Sequence, residues 1–190
     1  MSKKDLIQSG IFIVVVGVIL ILLRQFVFTP VTVLGHSMDP TLSNKERVIA
    51  LKHEKIERFD IITFKAPDDS GKNYVKRVIG LPGDSIQCMD DVLYINGKIY
   101  KEPYVEELKS KLSDGEPFTH DFTLDGLFGE VHVPEGKYFV LGDNRRISKD
   151  SRMIGYIDQK AVLGVVKFAF WPIEQFGPIT NHVEELQDGE

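Results

Sequence analysis

The hydrophobic pattern divides this chain in two. From Ile11 to Leu23 every residue except Gly17 is strongly apolar, and after Arg24 and Gln25 the apolar character resumes through Phe26, Val27 and Phe28. At about 1.5 Å per residue a helix over 11–28 covers roughly 27 Å, enough to cross the hydrocarbon of a bilayer. A cleavable secretory leader is the competing reading, since Lys3 and Lys4 supply a positive start and the uninterrupted run is short. The stretch Phe28-Thr29-Pro30-Val31-Thr32-Val33 offers no small-x-small cleavage signal, however, and Arg24 can snorkel to the far interface. Residues 11–28 are therefore expected to stay as a transmembrane anchor. By the positive-inside rule residues 1–10 lie in the cytoplasm and everything after the anchor lies outside the cell membrane.

Beyond Pro30 the long apolar run gives way to short β-branched and apolar segments punctuated by turns. They fall at Val31 to Leu34, Arg47 to Leu51, Asp60 to Phe64, Tyr74 to Leu81, Val92 to Ile95, Lys137 to Leu141 and Ala161 to Phe170. Asn96-Gly97, between Val92-Leu93-Tyr94-Ile95 and Lys98-Ile99-Tyr100, is a strong hairpin signal because both residues tolerate the positive φ of a tight primed turn. Only Tyr104 to Leu112 reads as helix, with Val105, Leu108 and Leu112 on one face and Pro103 at its start. The expectation is a mostly β domain over residues 29–178, with 98–135 as a small inserted lobe and 179–190 as a flexible tail.

Composition narrows the functions open to this domain. The 190 residues carry a net charge of -5; residues 1–30 hold Lys3, Lys4, Arg24 and Asp5, a net of +2, so the remainder carries -7. No run of Lys and Arg interleaved with aromatics suggests a nucleic-acid groove, and nucleic acid is not an expected partner. Cys88 is the single cysteine, which excludes an internal disulfide and a zinc site built on paired cysteines. His53, His120, His132 and His182 have no ligand-like spacing. No metal or cofactor is expected.

Two segments carry candidate chemistry. Gly35-His36-Ser37-Met38-Asp39-Pro40-Thr41-Leu42 places a serine between a glycine and a turn-forming proline, directly after a strand-like run, where an exposed elbow could present it. Taken alone, such a serine is most often a turn residue or a cap. In Tyr74-Val75-Lys76-Arg77-Val78-Ile79-Gly80 a period of two puts Tyr74, Lys76 and Val78 on one face and Val75, Arg77 and Ile79 on the other. Lys76 then sits among apolar neighbours, and desolvation is the known route to a lysine basic near neutrality. His36 touches Ser37 in sequence, but adjacent residues rarely meet in productive geometry.

Read together, Ser37-Met38-Asp39-Pro40-Thr41-Leu42, Phe59-Asp60-Ile61-Ile62-Thr63-Phe64, the segment Tyr74 to Asp84 and Gly142-Asp143-Asn144-Arg145-Arg146-Ile147-Ser148-Lys149-Asp150-Ser151-Arg152 resemble, in order, the boxes of bacterial type I signal peptidases. The preceding anchor resembles theirs too. The resemblance implies a β catalytic domain of coiled antiparallel sheets and a serine-lysine dyad, with Ser37 as nucleophile and Lys76 as base, acting through an acyl-enzyme. It implies Tyr74 and Ser148 as residues that pack against and hydrogen-bond the lysine amine. The position two before the nucleophile, a hydroxyl donor in some members, is Gly35 here, so the Ser37 N–H is the evident oxyanion donor and the share of Gly35 stays open. Val31, Val33, Met38, Leu42, Tyr74 and Val75 match positions lining shallow pockets for small side chains, which implies signal peptides of the Ala-x-Ala kind as substrate. Asp143, Arg145, Asp150 and Arg152, joined by Arg77, look like an ion-pair network holding the loop of Ser148. Two rival readings stay open: a serine-lysine autoprotease of the stress-repressor type, against which the membrane span counts, and an inactive membrane-tethered binding module.

Overall fold

The computed structural model describes residues 3–69, 71–180 and 183–185. The apolar run forms helix α1 (Lys3–Phe26), long and apolar enough to cross a membrane and exposed along almost its whole length. It begins earlier and ends sooner than 11–28. Val27 is a turn, and Phe28 already belongs to strand β1 (Phe28–Thr32), paired with Leu51. The apolar residues at this point serve a sheet edge rather than a last helical turn.

The remaining elements follow in order: β2 (Arg47–Leu51), β3 (Ile61–Lys65), β4 (Asn73–Gly80), β5 (Ile86–Met89), β6 (Val92–Ile95), β7 (Lys98–Lys101), α2 (Pro103–Lys109), β8 (Phe122–Thr123), α3 (Leu124–Phe128), β9 (Lys137–Leu141), α4 (Ser151–Ile154), β10 (Ile157–Asp158), β11 (Val162–Trp171), β12 (Gly177–Pro178) and β13 (Glu184–Glu185). One sheet runs β1-β2-β11-β3-β4-β9-β10, with β12 beside β11, and a second runs β13-β7-β6-β5-β8. All pairings are antiparallel. The β6–β7 hairpin turns on Asn96 (φ 55°) and Gly97 (φ 78°), as the dipeptide requires.

The second sheet begins at Ile86, ahead of the compositional change at residue 98; β5 to β8 fall between β4 and β9, and β13 joins them from the far end of the chain. A core of Phe59, Ile79, Ile86, Leu93, Ile95, Phe122, Phe139 and Leu141 joins it to the first sheet. Cys88 lies in that core, 1% exposed, and burial pushes its thiol up to about 12. Helix α2 ends at Lys109, so Leu112 lies beyond it, and Val105 is its buried anchor. The expected flexible tail is tied down where it is described: the Ile179 N–H bonds the Lys167 carbonyl at 2.9 Å, Val183 packs on the core, and β13 pairs with β7. Residues 181, 182 and 186–190 lie outside the described part.

Two features of this frame place the candidate chemistry. Strand β4 is covered on both faces, so that every residue from Val75 to Gly80 is buried. The segment after β1 folds over it, anchored by Met38 and Leu42 in a core with Val33, Val48, Ala50, Ile61, Val75, Val166 and Ala169.

Candidate active site

The Ser37 segment is held from both sides. Val33 trades backbone hydrogen bonds with Glu46 and Lys45, each at 2.8 Å, and the chain then turns at Gly35, whose φ of 87° is disfavoured for any residue with a Cβ. The Gly35 N–H donates to Asn44 Oδ1 at 3.0 Å. The Ser37 carbonyl accepts from the Asn144 N–H at 3.1 Å, which ties the Ser37 segment to the Gly142–Arg152 loop.

Across this turn the Lys76 amine donates to Ser37 Oγ at 2.6 Å. Lys76 is 4% exposed, and burial lowers its pKa from 10.5 to about 8, with the charges of Asp150 and Asp143 partly opposing the shift. A lysine that loses its proton near neutrality, in contact with a serine hydroxyl, can act as a general base. His36 does not compete for that hydroxyl: it is exposed and its Nδ1 lies 2.8 Å from Asp39 Oδ2.

The supporting residues depart from expectation in part. Tyr74 packs on the lysine, whose amine lies 5.7 Å from the ring centroid, but its hydroxyl donates to Asp68 at 3.4 Å rather than to the amine. Ser148 is 5% exposed, yet its Oγ makes no hydrogen bond among the described residues, so the expected bond to Lys76 is not formed. It lies instead against Gly142, where an added Cβ would overlap both Ser148 Oγ and the Ser37 carbonyl. Gly35 cannot offer its N–H elsewhere while Asn44 holds it. The Ser37 N–H has no hydrogen-bond partner among the described residues.

The ion pairs form among the expected residues except at Arg145. Arg77, 1% exposed, grips Asp143 through Nε at 2.9 Å and through a terminal nitrogen at 2.6 Å, and donates to the Phe59 carbonyl at 2.9 Å. Thr41 donates to Asp143 at 2.5 Å from the nucleophile segment. Arg152 pairs with Asp150 at 2.8 Å, and Asp150 also accepts from the Gly142 N–H at 3.0 Å. Arg145 pairs with neither aspartate: its guanidinium meets Glu102, and Tyr104 lies beside it with its ring 3.9 Å from the Arg77 guanidinium carbon. Glu102 and Tyr104 carried no motif, because their role depends on a fold that brings residue 102 to residue 145. Thr41 lay inside a box already singled out.

A cleft of about 260 Å³ opens at Ser37 and Lys76, and Val33, Met38, Tyr74 and Val75 are among the residues that line it. Leu42, fully buried, and Val31 do not line it; both serve the core beneath. The exposed Leu34 and Ile147, with Asn73 and Lys149, form its rim instead. Lys149 is paired with Asp68.

This arrangement has relatives. Residues 6–171 match the family model described as signal peptidase, peptidase S26. The chain belongs to this family. With that membership it is a peptide-bond hydrolase. Signal peptidase IB of Staphylococcus aureus is 43% identical over 183 residues, covering 92% of this chain and 94% of that protein. Signal peptidase I of Bacillus caldolyticus is 48% identical over 158 residues, covering 81% and 85%. The crystal structure of a signal peptidase I from Enterococcus faecalis is similar at a TM-score of 0.57 and 48% identity, covering 59% of this chain and 97% of its own.

Proposed function

We propose that this chain is a membrane-anchored serine endopeptidase that cuts N-terminal signal peptides from exported preproteins after an Ala-x-Ala-like site. The observation that carries the reading is the 2.6 Å contact between Ser37 Oγ and an amine that burial brings down to about 8. Ser37 Oγ attacks the scissile carbonyl while neutral Lys76 takes its proton. The oxyanion of the tetrahedral intermediate points at the unengaged Ser37 N–H. Lys76 then gives the proton to the leaving amine as the amide bond breaks, leaving the signal peptide esterified to Ser37. Water, deprotonated by Lys76, hydrolyses the ester and restores the free hydroxyl.

Substrate choice follows from the cleft. Its apolar floor of Val33, Met38, Tyr74 and Val75 suits small apolar side chains. An extended substrate lies along the cleft as an added strand, held through its main chain. Helix α1 spans the bilayer once, its Lys4 end in the cytoplasm and the β domain outside. Ser37→Ala and Lys76→Ala should each abolish cleavage of an Ala-x-Ala preprotein while circular dichroism stays that of the folded β domain. Near-normal cleavage by either variant overturns the dyad.

A further inference from the structure

The joint between α1 and the β domain contains a single turn residue, Val27, whose N–H still reaches the Leu23 carbonyl at 2.7 Å. The last carbonyls of a helix have no partner within it, and at the edge of the hydrocarbon water satisfies them poorly. Here the Lys52 amine, arriving from the end of β2, donates to the Arg24 carbonyl at 3.2 Å and to the Gln25 carbonyl at 2.8 Å. The Lys52 N–H takes the Val27 carbonyl at 2.8 Å, and Phe28 pairs with Leu51 in the next rung. The ammonium also sits where the helix dipole is negative. From this joint β1 leads directly into Val33, which is locked to Glu46 and Lys45 just ahead of the Ser37 turn. Helix and strand thus form one braced rod that leads to the Ser37 turn, five residue steps or roughly 17 Å from Phe28 to Val33.

We infer that Lys52 is a positioning residue: it clamps the membrane helix to the catalytic sheet and so fixes the height and angle at which Ser37 meets a substrate held in the bilayer. The inference rests on the proteolytic reading above and on α1 lying in the membrane. A soluble peptide finds the cleft from any direction and does not need the clamp. A preprotein anchored in the same bilayer does.

The test uses the full chain in vesicles of phosphatidylethanolamine and phosphatidylglycerol. Wild type, Lys52→Ala and Lys52→Arg are each given a short soluble Ala-x-Ala peptide and a preprotein bearing tandem Ala-x-Ala sites, and the products are identified by mass spectrometry. Losing two charge-assisted hydrogen bonds should lower preprotein cleavage by Lys52→Ala about tenfold relative to the peptide and spread the cuts over both sites, with Lys52→Arg restoring both. Amide hydrogen exchange across residues 24–28 should quicken in Lys52→Ala and not in Lys52→Arg. Equal loss on both substrates, or no loss on either, overturns the inference, as does unchanged exchange. If wild type cuts neither substrate, the proteolytic reading fails, and the exchange comparison still decides the clamp.

Discussion

In the proposed mechanism only neutral Lys76 can accept the Ser37 proton, so the pH dependence of cleavage reads the burial of one amine. At pH 7 a group with pKa about 8 is neutral in roughly one molecule in ten, against roughly one in three thousand at the ordinary value of 10.5. Burial therefore enlarges the competent population about three-hundredfold, which corresponds to about 3 kcal/mol of disfavoured charge. Measured as kcat/KM on a soluble Ala-x-Ala peptide, activity should climb about fiftyfold from pH 6 to 8 and level off above about 9. The same shift enters folding stability with a definite sign. The folded-state pKa lies below the unfolded one, so the folded chain bears the whole penalty below about pH 8 and sheds it as pH rises from about 8 towards 10.5. Urea unfolding should accordingly show a wild-type stability gain across that window that Lys76→Met lacks. A kcat/KM profile flat from pH 6 to 9, or one whose midpoint stands near 10.5, would refute the reasoning.

Other consequences concern the frame around the dyad. Arg77→Ala strands Asp143 at 0% exposure with only Thr41 for company and should destabilise the fold by about 3–5 kcal/mol in urea titration. Gly142→Ala forces a methyl group against the Ser37 carbonyl and Ser148 Oγ, so the domain should lose about 1–3 kcal/mol and most of its peptide cleavage, both measured on the same preparation. His36→Ala removes an exposed ring bonded to Asp39 and should leave kcat/KM within about twofold of wild type; a loss as deep as that of Ser37→Ala reverses the assignment of the base. Glu102→Ala leaves the Arg145 guanidinium buried without its carboxylate and should lower stability by about 3–5 kcal/mol, seen as a lower urea midpoint.

Period-two alternation and turn chemistry made most of the first sheet legible, because a strand's pattern is local. The Asn96-Gly97 hairpin, the strand under Lys76 and the apolar helix were all within reach of a few consecutive residues. The second sheet was harder to bound, since β5 and β8 are four and two residues long, too short for the alternation that β5 does carry to stand out in the sequence. Non-local pairings were legible only through the family resemblance, which joined Ser37 to Lys76 and Arg77 to the aspartates of 142–152. Nothing about Glu102 indicates that its carboxylate will meet Arg145, nor does Asn44 announce that it holds the Gly35 N–H. Leu42 and Val31 show the converse: an apolar residue beside a nucleophile can face the cleft or the core, and sequence spacing does not decide between them.

The dyad itself depends on a contrast between neighbours. Lys76 and Arg77 are consecutive, both basic and both almost fully buried, at 4% and 1% exposure. Desolvation presses on each charge alike. The pleat sends Arg77 to a carboxylate, Asp143, which accepts from two nitrogens of its fork; burial presses its pKa down, but Asp143 together with Tyr104 raises it on balance, so the guanidinium stays charged. The same pleat sends Lys76 to a hydroxyl, which offers no countercharge, and the amine yields its proton. Asp143 and Asp150 still act on Lys76, but without contact they raise its pKa less than burial lowers it. A carboxylate brought into contact with the Lys76 amine would restore the charge and silence the base while leaving the fold paired and satisfied. The mechanism therefore requires that Asp143 and Asp150 be given to Arg77 and Arg152, and that Lys76 be left with the Ser37 hydroxyl as its contact.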